Sequence, residues 1–174
     1  MKKLAYLFVF VALAALSVQA QYKPDFSGKW NLDVANSKLD QRMRIESMTL
    51  TVSQTDKELS VTTSTKRLPP NDTMGGGRGI GGDGTTVYSL DGKETKTEME
   101  GPMGKMPVAI KAKLGADGIL KISSTRTFNG PMGEISMTTN ETWKLSADGK
   151  ILTIERETSS PRGQLTTTLV FTKG

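Results

Sequence analysis

The 174-residue sequence contains no cysteine and no histidine. Without cysteine there is no disulfide, no thiol nucleophile and no lipobox thiol to acylate, so packing alone must hold the fold. Without histidine, imidazole zinc sites and Ser-His-Asp triads are excluded. Aromatic residues are sparse: five Phe, three Tyr and two Trp. That is too few for the two aromatic girdles of an outer-membrane barrel. No stretch beyond residue 20 sustains helical periodicity. Long apolar runs are also missing, since the longest, Leu4 to Leu16, is short for crossing a bilayer. The formal net charge is +5. Its Lys and Arg are spread along the chain with no cluster beside aromatics, which argues against a nucleic-acid partner.

The apolar run has a context of its own. Lys2 and Lys3 precede it, and Val18-Gln19-Ala20 supplies a small-x-small cleavage signal before Gln21. We expect residues 1–20 to be a cleaved Sec-type secretion signal, leaving residues 21–174 as one domain in the periplasm or outside the cell. An uncleaved anchor is the alternative; after cleavage no membrane span is expected. About 150 residues suffice to bury a single core without staples.

What is present is a code of turns. Asp91-Gly92, Asp117-Gly118 and Asp148-Gly149 alternate with Gly101-Pro102-Met103-Gly104, Gly130-Pro131-Met132-Gly133 and Ser160-Pro161-Arg162-Gly163. Asp-Gly suits a tight hairpin, while Pro presets φ and Gly closes a slightly longer turn. Lys113-Leu114-Gly115-Ala116-Asp117-Gly118 recurs as Lys144-Leu145-Ser146-Ala147-Asp148-Gly149, so the array is built from similar hairpins. Period-two alternation between the turns gives ten strands, the first Gly28–Val34 and the last Gln164–Thr172. Val34 to Arg44 reads as a loop or one helical turn. Successive turns of a meander lie at opposite ends of the sheet, so one turn type marks each end. An even strand count brings first and last strands together as antiparallel neighbours and removes exposed edges. The expected fold is all-β: an antiparallel up-and-down barrel of eight to ten strands.

The first strand opens with Asp25-Phe26-Ser27-Gly28-Lys29-Trp30-Asn31-Leu32. Its Gly28-x-Trp30 pair, directly after a secretion signal and before a hairpin series, resembles the lipocalin (calycin) group. The opening is most similar to small secreted bacterial lipocalin-like proteins. The resemblance implies a tryptophan at the closed end of a barrel, the long loops at its mouth, and small-molecule binding without chemistry. Ten strands are nearer the fatty-acid-binding proteins than the eight-stranded lipocalins.

Three strand faces carry the candidate site. Leu120, Ile122, Ser124, Arg126 and Phe128 share one face, as do Ile135, Met137, Thr139, Glu141, Trp143 and Leu145, and Leu152, Ile154, Arg156 and Thr158. Each otherwise apolar face holds one charge: Arg126, Glu141 or Arg156. If these faces line a barrel, one Arg can pair with Glu141 and the other can take an anionic head group bidentately, its apolar part resting on Ile122, Met137 and Ile154. A structural salt bridge near the rim, with one Arg reaching to water, is the competing reading.

Other motifs carry less. Gly77-Arg78-Gly79-Ile80-Gly81-Gly82 fits G-x-G-x-x-G, but Pro-Pro precedes it and a Thr-rich strand follows. A rim loop is expected there instead of a dinucleotide site. Met74, Met103, Met106 and Met132 map to the same rim, where turn packing, a soft portal and Cu(I) ligation compete. No metal or cofactor is expected.

The function these readings support is non-catalytic binding of a small apolar or anionic amphiphilic molecule. The alternative is a filled structural barrel whose rim grips a protein, such as an enzyme to be inhibited.

Overall fold

Ten strands follow one another in chain order: β1 Gly28–Leu32, β2 Ile45–Gln54, β3 Glu58–Arg67, β4 Gly84–Ser89, β5 Asp91–Gly101, β6 Gly104–Leu114, β7 Leu120–Gly130, β8 Gly133–Leu145, β9 Ile151–Ser160 and β10 Gly163–Lys173. The computed structural model describes residues 23–40, 43–69, 83–101, 104–130, 133–161 and 163–174. The expected signal segment, the Gly-rich tract with Gly77 to Gly82, and Met74, Met103 and Met132 lie outside the described residues. In the segment expected as a loop or helical turn, Val34 to Arg44, residues 34–36 form a turn, and a bridge between Lys38 and Thr168 ties it to β10; residues 41 and 42 lie outside the described residues.

All ladders are antiparallel, and the strands form one sheet in the order β4-β3-β2-β1-β10-β9-β8-β7-β6-β5. Trp30 lies opposite Lys173 and Leu32 opposite Phe171, so the first and last strands pair as expected. The result is an all-β up-and-down barrel at the upper end of the eight-to-ten range, of the kind expected for a lipocalin- or fatty-acid-binding-protein-like chain.

The barrel is nearly, not fully, closed. The sequence reading makes Asp91-Gly92 a hairpin turn, but β4 and β5 share no ladder. Asp91-Gly92 forms a corner instead. Gly92 takes φ 78°, and the β5–β6 register shifts between Asp91 and Glu94. The Leu90 amide stays with β4's side of the sheet, donating to Lys57 O at 2.8 Å. The physical reason lies in β5 itself. Its inward positions by register, Thr95 opposite Ile110 and Thr97 opposite Val108, are polar and exposed. A strand whose inward positions here are threonines gains little by closing over the core.

The other Asp-Gly turns do form hairpins, through the repeated hexapeptide. In the second, Ser146 N–H donates to Ile151 O at 2.9 Å, and Lys150 N–H donates to the Asp148 carboxylate at 3.1 Å. Gly149 takes φ 67°, where a Cβ would be strained.

Inward side chains stack in rows across the ladders. Leu114, Leu120, Trp143, Ile154 and Leu169 form one row. Phe26 packs edge-on against Trp143, with ring centroids 6.0 Å apart. Trp30 is fully buried and donates its indole N–H to Phe26 O at 2.8 Å. These residues, with Leu59, Leu152 and Phe171, fill the Asp-Gly end. Trp30 thus plugs the closed end, the place the Gly-x-Trp resemblance implies.

Candidate functional site

The next two rows toward the Pro-x-Gly end are different in kind. Ala112, Ile122, Glu141, Arg156 and Thr167 form the first. Ile110, Ser124, Thr139 and Thr158 form the second, and Arg126 faces Met137 across the row beyond. Strand alternation is what brings them here: the period-two face that buries Trp143 must also turn Glu141 and Thr139 inward.

Glu141 is held from both sides. Arg156 Nε–H donates to Oε1 at 2.7 Å and Trp143 Nε1–H donates to Oε2 at 2.8 Å. The Arg156 and Glu141 side chains are only 17% and 13% exposed. An ion pair so far removed from water is costly to break one-sidedly, and here each carboxylate oxygen has its own donor. Because Arg156 pairs through Nε, its terminal amino groups make no hydrogen bond among the described residues. Thr139 and Thr158 share a hydrogen bond of 3.3 Å beside the pair.

Beside these groups lies a cavity of about 90 Å³, whose polar lining includes Tyr88, Arg126, Glu141 and Arg156. Its apolar wall includes Leu50, Val61, Ile110, Ile122, Ile154 and Phe171. β4 and β6 both contribute lining residues, whereas the exposed positions 93–98 of β5 contribute none.

Sequence parity therefore brings five of the six expected site residues to this cavity: Arg126, Glu141, Arg156, Ile122 and Ile154 all line it. Met137 does not. It lies half-buried opposite Arg126 in the β7–β8 ladder, outside the lining.

Tyr88 is the residue that parity reading left out. It enters from β4, on the other flank of the β4–β5 gap, beside Thr86 in the lining. Its strand carried a usable signal, since Thr86, Tyr88 and Leu90 alternate with Thr85, Val87 and Ser89. Burial pushes its phenol up to about 12; Glu141 adds to the rise, while Arg156, a hydrogen bond with Thr86, and Arg126 oppose it. At neutral pH Tyr88 is thus a hydroxyl donor. Burial also lowers the Arg126 pKa; Tyr88 and Glu141 oppose that shift and Arg156 adds to it. Trp143 was placed on the inner face by alternation, but its role in pinning Glu141 depends on an indole orientation no periodicity encodes.

Chemically the arrangement offers donors: a guanidinium fork, a phenol and several hydroxyls around a space with apolar walls. Among the described residues, no three of the Asp and Glu carboxylates group closely enough to hold a metal ion. Of the four rim methionines, only Met106 is among the described residues, partly buried on β6 opposite Met99.

No protein-family model matches the chain, and no curated protein matches it. Among solved structures, the chain is similar to a zebrafish ileal bile acid-binding protein complexed with cholic acid, at 16% identity and a TM-score of 0.49, over 86% of this chain and 98% of that one.

Proposed function

We propose that this protein is an exported, non-catalytic binder of a small anionic molecule with an apolar body, held inside the barrel. One observation carries the reading. Arg156 is tethered to Glu141 through Nε at 2.7 Å, which presents its remaining N–H groups to a cavity with apolar walls. Such a fork is pre-organised for a carboxylate, because its side-chain entropy has already been spent on Glu141. Thr139, Ser124 and the Tyr88 hydroxyl add neutral acceptors and donors around the same space. The export element rests on Lys2, Lys3, the apolar run and Ala20.

Calorimetric titration of small carboxylates into the wild type, Arg156→Met and Arg126→Met tests it. Loss of the charged hydrogen bonds from Arg156 should weaken binding by about 1.5–3 kcal/mol, roughly ten- to a hundredfold. A wild type that binds no carboxylate sinks the reading.

The densely packed Asp-Gly half favours a second reading, a structural barrel that presents its rim to another protein. Phe26, Trp30, Leu59, Leu152 and Phe171 are all fully buried there. Under that reading Arg156→Met would leave all binding unchanged.

A further inference from the structure

Resting on the proposed binding function, we infer that the ligand is a compact monoanion, on the scale of an aromatic or short branched carboxylate, and not a long-chain amphiphile. The cavity itself sets the size. The cavity measures about 90 Å³. An apolar cavity of about 150 Å³ holds one benzene, so this space is on the scale of a small ring or a short branched group and not of an extended chain.

The walls do not offer a tail channel toward the Asp-Gly end. Beneath the Glu141 row lie Leu120, Trp143, Ile154 and Leu169, each 3% exposed or less. Below them Phe26, Trp30 and Phe171 are fully buried. Interiors are packed at crystal-like density, and forcing extra methylenes into one drives side chains off their rotamers. A long tail would have to displace several of these side chains.

The division of the lining argues for the same shape. Polar Tyr88, Arg126, Glu141 and Arg156 and apolar Ile110, Ile122, Ile154 and Phe171 line the same space. A molecule with its charge at one edge and a short, broad apolar body satisfies both walls at once. Its head takes the Arg156 terminal N–H groups and the Tyr88 hydroxyl.

The experiment uses the secreted chain lacking residues 1–20 and four probes: benzoate, hexanoate, hexadecanoate and the neutral analogue benzyl alcohol. Binding is read by tryptophan emission, since Trp143 lines the cavity, and by the shift in thermal midpoint. Benzoate and hexanoate should bind at least tenfold more tightly than hexadecanoate, and benzoate at least tenfold more tightly than benzyl alcohol. Hexadecanoate binding most tightly overturns the compact-ligand inference and leaves the anion-binding function standing. Benzyl alcohol matching benzoate overturns the anionic part of both. No response to any probe marks the cavity as a water pocket and overturns both readings. Ile122→Trp gives an independent check by filling the space from the strand position directly beside Glu141. If it folds with an unchanged far-ultraviolet spectrum, it should abolish benzoate binding, and retained binding places the ligand elsewhere.

Discussion

Arg156 and Glu141 lie directly opposite one another on β9 and β8, and Arg156 Nε–H donates to Glu141 Oε1 at 2.7 Å. The pair is a cross-strand neighbour contact made inside a barrel, where solvent does not screen it as it does the exposed Lys144–Glu155 pair, 3.2 Å apart on the outer face of the same two strands. Two pairs in one ladder thus have different physical weight, decided by which face of the sheet they occupy.

Truncating one partner should therefore cost more than removing both. Glu141→Ala leaves Arg156 and the Trp143 indole without their acceptor and should lower stability by roughly 3–5 kcal/mol. The double variant Glu141→Leu with Arg156→Met should recover most of that loss. Urea unfolding measures both, and a double variant no more stable than the single one would show that the pair is not an isolated unit.

The exposed Lys144–Glu155 pair should contribute little, about 0.2–1 kcal/mol. Lys144→Ala is expected to shift the urea midpoint only slightly and to lose its effect in concentrated salt. A loss comparable to that of Glu141→Ala would contradict the distinction between inner and outer pairs.

Tyr88 should give the protein a stability that falls in strong base. Its phenol is raised from 10.0 to about 12 by burial first. In the unfolded chain the phenol loses its proton near its ordinary value, while the folded chain still holds it. The contribution is complete below pH 10 and is lost as pH climbs toward 12, amounting to up to about 3 kcal/mol. Tyr88→Phe removes that dependence, and an alkaline unfolding curve identical to wild type would refute the assignment.

The plug at the closed end should be essential. Trp30 is fully buried, bonded to Phe26 O, and covered by Lys173 with its ammonium 5.2 Å from the ring centroid. Trp30→Ala should cost about 3–5 kcal/mol through lost transfer and cavity energy. Lys173→Met, which keeps the covering stem but loses the charge, should cost about 1 kcal/mol at most. Thermal midpoints of the two variants test the ranking.

Strand β5 should exchange its amide protons orders of magnitude faster than β9. Its residues from Lys93 to Glu98 are exposed on both faces, and its outer edge faces the β4–β5 gap. Equal protection of the two strands would show that the gap is closed in solution.

Export predicts one covalent fact. The secreted or periplasmic protein should begin at Gln21, cyclised or not, by mass spectrometry. Intact Met1 in a membrane fraction would overturn cleavage after Ala20.

The sequence by itself determined the elements and the face each residue takes. Turn chemistry at Asp117-Gly118 and Asp148-Gly149, and period-two alternation between, are local properties, and strand bounds follow them to within a few residues. The same alternation turned Arg126, Glu141 and Arg156 inward, because a strand that buries Ile122, Trp143 and Ile154 has no freedom to aim every second neighbour elsewhere. Tertiary structure decided the rest. It chose Arg156 as Glu141's partner, through a register that sets the two opposite each other. It brought Tyr88 across from β4, distant in sequence from β7 to β9, and left a cavity of about 90 Å³ between them. It also opened the barrel between β4 and β5, where the turn code implied closure. These outcomes depend on how much apolar surface each strand can bury once all ten compete for one core, and that balance is a property of the whole barrel and of no single strand.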